Sequence, residues 1–155
     1  MSLWVKSSST GGATLVHSST AVDGTGWCID YLGFSSTGQI VATGWGYGDA
    51  YQLIGPTIQP NNWTHISTTY SRTNGLRLYV NGFFIGSSGS RGNEGSRSSH
   101  ILTLGNSIQG IPQSSPGGNC NSQSIDPSVY YGSIDEFRVY AKELTAAEVW
   151  ILSNP

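Results

Sequence analysis

Between Asn61 and Ser87 the sequence reads NNWTHISTTYSRTNGLRLYVNGFFIGS, three short apolar runs separated by Asn74-Gly75 and Asn81-Gly82. Asn-Gly favours the positive φ angles of tight hairpin turns, so the stretch predicts three consecutive antiparallel strands. Side chains alternate as a half-buried sheet requires. Ile66, Thr68 and Tyr70 share one parity, as do Leu76, Leu78 and Val80, while His65, Arg77 and Tyr79 take the other. A chain committed to this ladder is an antiparallel β protein.

The rest of the sequence agrees. Met1–Lys6, 13–17, 27–34, 39–42, 51–54 and 101–104 read as further strands, and Gly11-Gly12, Gly24-Thr25-Gly26 and Thr37-Gly38 punctuate them as turns. Short strands with frequent turn signals point to a sandwich or barrel. At 155 residues the chain forms one domain that buries roughly 68–70% of its unfolded surface. Charged residues make up 10% and the net charge is −2, so a basic footprint for nucleic acid is missing. No apolar run is long enough for a membrane-spanning helix, and no membrane insertion is expected.

The motifs W-x-H at Trp63–His65, T-Y at Thr69-Tyr70 and G-L-R-L-Y-V-N-G at 75–82 form one block, and Y-G-S-I-D-E-F-R-V-Y-A-K-E-L-T at 131–145 forms a second. Together they resemble the laminin-G-like branch of the concanavalin A-like lectin/glucanase superfamily. The resemblance implies an all-β jelly-roll sandwich of two antiparallel sheets with a short C-terminal helix, spanning 1–155 as one domain. It also implies strands ahead of Ser2, so that the domain is expected to lack its first strands and to expose an edge. Many members of the superfamily hold a structural calcium with an aspartate on the last strand, which here corresponds to Asp135. Strand parity places Asp135 with Phe137 and Val139 toward the apolar side, where a carboxylate needs a cation, amides or a partner. Hydrogen bonding to backbone amides is the alternative to calcium. Glu136, on the opposite face, would pair with Arg138 or Arg77.

Aromatic rings spaced by glycines at 44–55 (GWGYGDAYQLIG) offer sugar-stacking faces beside a carboxylate. The expected ligand contacts are Trp45, Tyr47, Asp49 and Tyr51, supported by Asn121 in the loop around Cys120. The competing reading is a glycine-rich hairpin whose rings pack back on the sheet. Asp30, inside an otherwise apolar strand, reads as a carboxylate bonded to backbone amides or placed at an exposed strand edge. Arg91, Glu94 and Arg97 lie in a polar loop that is either solvated or turned toward an anionic partner. A second long loop, 107–127, carries Pro112, Pro116, Pro127 and the pair Gly117-Gly118; both loops are expected at the sandwich rims.

The two cysteines, Cys28 and Cys120, permit one disulfide or two separate thiols; the setting of Cys120 between asparagines in a loop favours the bridge. Asn62-Trp63-Thr64 is a sequon, giving Asn62 as a glycosylation candidate. Bridge and sequon together point to an extracellular or secreted setting.

Chemistry finds little support. Retaining glucanases of the same superfamily carry acid and nucleophile at period two on one strand, and no such run occurs. Asp135 and Glu136, being adjacent, should face opposite ways and share no glycosidic bond. No G-x-S-x-G elbow or phosphate loop is present, and His17, His65 and His100 are scattered. The expectation is a non-catalytic extracellular recognition module whose partner is a glycan or glycoprotein. The alternatives are a module for an extracellular protein partner, a spacer, or a glycoside hydrolase relative. Leu144-Thr145-x-x-Glu148 announces a capped helix, expected to close one end of the sandwich and to stop at Pro155.

Overall fold

The computed structural model describes residues 1–9, 11–93, 98–112 and 120–154. Glu94, Arg97, Pro116, Gly117, Gly118 and Pro155 lie outside the described residues. Among the described residues, eleven strands and one helix follow one another as β1 (Ser2–Ser7), β2 (Ala13–Ser19), β3 (Cys28–Phe34), β4 (Gln39–Gly46), β5 (Asp49–Thr57), β6 (Thr64–Ser71), β7 (Gly75–Val80), β8 (Phe83–Ser87), β9 (Ile101–Leu104), β10 (Cys120–Asn121), β11 (Gly132–Arg138) and α1 (Ala146–Leu152). They form two antiparallel sheets, ordered β11–β1–β6–β7–β8 and β5–β4–β3–β2–β9, with β10 added in parallel beside β3. The architecture is the jelly-roll sandwich that the sequence implied.

The hairpin ladder folds as its alternation dictates. Ile66, Leu76, Leu78 and Val80 face the second sheet and meet Leu15, Leu32, Phe34, Ile40 and Ala42 in a single core, joined by Leu3 and Val5 of β1. The two Asn-Gly signals differ in detail. Asn81 and Gly82 both take positive φ, 50° and 80°, as a two-residue type I′ turn requires. At the other site Ser71 pairs with Gly75, so three residues form the loop and only Gly75 turns left-handed, at φ 65°.

Three features were not foreseen. First, α1 does not cap the end of the sandwich; it rests on the far side of the five-stranded sheet, where Leu144 and Val149 bury Tyr79 in a second small core. Its capping box forms as expected: Thr145 Oγ1 accepts from Glu148 N–H at 3.2 Å, and Glu148 Oε2 accepts from Thr145 N–H at 2.8 Å.

Second, the β1–β11 register slips by one residue between Ser2↔Arg138 and Trp4↔Asp135. Glu136 sits at φ 52° as the extra residue of a β-bulge. The bulge resets the alternation, so Ile134 and Phe137 both pack against the core while Asp135 is exposed. Strict parity, which put Asp135 on the apolar side with Phe137 and Val139 and put Glu136 on the opposite face, is overturned.

Third, β4 accompanies β3 only along Leu32–Phe34, and β10 takes its place at Cys28–Ile29. Register there sets Cys120 directly against Cys28, and the two form a disulfide. The bridge closes a span of 92 residues. In the chain-entropy picture a closure of that length restricts the unfolded state by about 4–5 kcal/mol. Urea unfolding of a Cys28→Ser/Cys120→Ser variant is expected to show a loss of about 2–5 kcal/mol, with the far-UV spectrum kept at low temperature.

His65, 1% exposed and packed at a tilt against Trp4 with ring centroids 5.2 Å apart, supplies a pH dependence. Burial lowers its pKa from 6.5 to about 4. The unfolded chain therefore binds this proton first, so the neutral ring's contribution is complete above pH 6.5 and lost as pH falls toward 4. Stability measured across that window should drop by up to about 3 kcal/mol. In His65→Gln the slope between those values should flatten.

Candidate functional site

Toward one end of the sandwich the sheets part and leave a pocket of about 410 Å³. Tyr31, Thr43, Gly44 and Tyr51 enter it from the six-stranded sheet, and Thr68–Tyr70 and Leu76 from the five-stranded one. Asn93 and the segment 140–144, which leads from β11 to α1, complete the rim. Tyr51 reaches this position because residue 44 is glycine: a Cβ there would lie 2.5 Å from Cζ of the tyrosine ring. The glycines of the GWGYG run thus make room for a ring to lie across the neighbouring strand.

The polar groups of the pocket are incompletely matched. Tyr51 OH, Thr43 Oγ1, Thr69 Oγ1 and Tyr140 OH are buried and have no hydrogen-bond partner. A buried hydroxyl left unpaired costs about 1–3 kcal/mol, so four on residues that line one space are a feature to be explained. Burial raises the pKa values of Tyr31 and Tyr51, keeping both phenols as neutral donors; for Tyr51 the neighbouring Tyr70 adds to the rise and Arg91 opposes it. The Arg91 guanidinium lies 5.1 Å from the Tyr51 ring centroid, and Tyr70 OH donates to Arg91 O at 2.8 Å. Glu143 is the pocket's carboxylate; both its oxygens accept from Asn74 Nδ2, at 3.0 and 3.1 Å.

Of the residues that the sequence put forward, Tyr51 alone enters this pocket. Tyr47, at φ 56° and 79% exposed, stands on an adjoining shelf with Arg72, Arg91 and Asn93. Trp45 turns elsewhere and packs edge-on to Trp27 at 5.8 Å, which in turn meets His100 at 5.3 Å. Asp49 accepts from Ala50 N–H at 2.8 Å at the start of β5, and Asn121 lies in β10 beside Ile29. Asn62 is exposed ahead of β6, accessible to a glycosylating enzyme. The threonines and Tyr140 escaped sequence reading because isolated hydroxyls carry no pattern; only two strands brought face to face assemble them.

Asp30 is fully buried, and its partners are side chains, neither backbone amides nor the solvent of a strand edge. Oδ1 meets His17 Nδ1 at 2.8 Å and Oδ2 accepts from Ser122 Oγ at 2.5 Å. His17 Nε2 lies 3.0 Å from Gly24 O, an acceptor only, so Nε2 carries a hydrogen. Serine, histidine and aspartate are thus brought together, but the serine bonds the aspartate and not the imidazole. That connectivity activates no nucleophile.

Two metal readings can be tested against donors. His17, Cys28 and Cys120 cluster within 4.8 Å, but the sulfurs are consumed in the disulfide. Calcium wants six to eight oxygens. Asp135 has Trp4, Trp63, Arg138, Ile151, Leu152 and one other carboxylate, Glu136, around it, and its own Oδ1 accepts from Glu136 N–H at 2.7 Å. Among these side chains two carboxylates offer oxygens, so a calcium shell here would have to draw the rest from backbone carbonyls.

Residues 1–150 match a laminin-G family model described as the concanavalin A-like lectin/glucanases superfamily. Individual curated proteins give no match. Solved structures share the fold at low identity. Domain 4 of an extracellular family 43 arabinanase from Geobacillus stearothermophilus, solved in complex with arabinotriose, matches with TM-score 0.57 and 20% identity over 99% of this chain and 65% of that one. The binding domain of botulinum neurotoxin serotype G gives 0.64 and 17%, over 98% of this chain and 35% of that one. The binding domain of Paraclostridial Mosquitocidal Protein 1 gives 0.62 and 19%, over 99% and 36%. The chain thus spans about two thirds of the first of these and about a third of the others.

If the unpaired phenol serves a ligand and not the fold, removing it should not weaken the protein. Tyr51→Phe is expected to leave the melting temperature unchanged or slightly raised, by up to about 1 kcal/mol in stability.

Proposed function

Because the chain belongs to the concanavalin A-like lectin/glucanase superfamily, we propose that it is a non-catalytic recognition module that binds carbohydrate outside the cell. The supporting observation is the inter-sheet pocket, where four buried hydroxyls without partners sit among tyrosine rings. A saccharide matches this chemistry. Its hydroxyls donate and accept in turn, and the apolar face of a pyranose or furanose suits an aromatic ring. The arabinanase domain seen with arabinotriose and the neurotoxin binding domains give the fold a precedent for recognition, without fixing a ligand. The disulfide suits an oxidising compartment.

Hydrolysis is disfavoured by the same pocket. Glycoside cleavage ordinarily needs two carboxylates flanking the bond, and the pocket offers Glu143, which Asn74 already engages. A protein-binding role is the second reading, favoured by the aromatic edge strand β8, where Phe83 is 62% and Phe84 55% exposed.

A glycan array on the purified domain, run with calcium and with chelator, tests both readings. Binding is expected in both buffers, since Asp135 lies outside this pocket, and Tyr51→Phe should weaken it about tenfold, the worth of one buried hydrogen bond to a ligand. A blank array from folded protein would reject the glycan reading in favour of the β8 surface. Binding unaffected by Tyr51→Phe would place the sugar elsewhere.

A further inference from the structure

A separate cleft opens on the other side of the five-stranded sheet, where α1 passes β1 and β11. It encloses about 640 Å³. Trp4 and Trp63 contribute indoles, Ile151 and Leu152 aliphatic walls, and β11 contributes Asp135, Glu136 and Arg138. The bulge at Glu136 is what makes this set possible. In a regular strand Asp135 and Glu136 would point to opposite faces; here both line one space.

The charges in the cleft do not cancel. Arg138 is bonded to Glu136, and among the described residues no cation pairs with Asp135. A small recess at the inner end is shared by Trp4, Glu136, Arg138, Leu152 and His65. His65 Nδ1, buried in a residue 1% exposed, has no hydrogen-bond partner. Two indoles and one uncompensated carboxylate thus line one cleft, with an unmatched buried nitrogen behind the recess beside it, and none of them is used by the pocket between the sheets.

We propose that this cleft binds an organic cation, with an ammonium head held against the indoles of Trp4 and Trp63 and balanced by the carboxylate of Asp135. Tryptophan presents the most favourable face for a cation, and the attraction grows as the site excludes water. A bare metal ion finds too few oxygens there. An anion would meet Asp135 at the mouth. A saccharide would need several hydrogen-bonding partners from walls that are largely indole and aliphatic. The head can belong to a free quaternary ammonium or to a lysine side chain; the chemistry recognised is the same.

Titration of the intact domain followed by the indole N–H signals in NMR tests this. The probes are choline, Nα-acetyl-lysine amide and 3,3-dimethylbutan-1-ol, the last a neutral copy of choline in shape. The signals of Trp4 and Trp63, assigned with Trp4→Phe and Trp63→Leu, are expected to shift with at least one cation. The neutral alcohol should bind about tenfold more weakly. The cation that binds more tightly identifies the source of the head group. Asp135→Asn should weaken cation binding severalfold, and Trp63→Leu, which keeps an apolar side chain but removes the π face, should do the same. Equal affinity for the alcohol, no effect of Asp135→Asn, or no shift with either cation overturns the proposal. Because the readout is Trp63 and not Tyr51, failure here leaves the glycan reading standing, and the reverse.

Discussion

Everything in this fold hangs on two apolar sheet faces meeting. Leu3, Val5, Ile66 and Leu78 from one sheet and Leu15, Leu32, Ile40 and Ala42 from the other are fully removed from water. Each of the leucine, isoleucine and valine side chains contributes about 1.5–3 kcal/mol relative to exposure, so their pairing fixes the register of every strand that carries them. Where that packing ends, the sheets diverge and the spacing is filled by rings and hydroxyls instead of aliphatic groups. The pocket at Tyr51 is the edge of the core, built where apolar contact no longer dictates the residue type.

A second constraint acts across the six-stranded sheet. The early departure of β4 leaves β3 with an unpaired edge at Cys28, and β10 fills it, locked by the disulfide and by Ser122 on Asp30. Further along, Ser124 N–H donates to Gln52 Oε1 at 2.9 Å, and Asp126 N–H donates to Phe34 O at 3.0 Å. The segment 120–128 is thereby stitched to β3 and β5. This is also why the buried Asp30 is tolerated: a carboxylate inside a protein needs partners on both oxygens, and it has them in His17 and Ser122. Their function is structural, since the serine is spent on the aspartate.

One backbone residue decides the chemistry of the opposite surface. Glu136 in the left-handed region is strained for a side chain with a Cβ, and the bulge it creates turns two neighbouring acids toward the same cleft. Their proximity does not make a hydrolytic pair, because Arg138 engages Glu136 and both acids stand open to water. It does concentrate charge beside two indoles, in the cleft proposed to take an organic cation.

The ladder from Thr64 to Ser87, the strand framework and the capped helix were legible in the sequence because each is written in local terms: period-two alternation, Asn-Gly turns and a Thr-x-x-Glu cap. The two blocks of residues that resemble the superfamily carried the sandwich. The disulfide was open to argument and the structure closed it by register. What stayed hidden depends on distance in space. Trp45, Asp49 and Asn121 have the right chemistry in sequence but face other partners, and Tyr140 and Thr69 look ordinary until two sheets bring their hydroxyls beside Tyr51. Asp135 was placed on the wrong face because alternation is exact only in a regular strand, and a bulge shifts it without a sequence signature that a single chain reveals. Local pattern therefore set which strands exist and which faces they bury; only the tertiary packing decided which side chains share a cavity, because that depends on where register slips and where two sheets part.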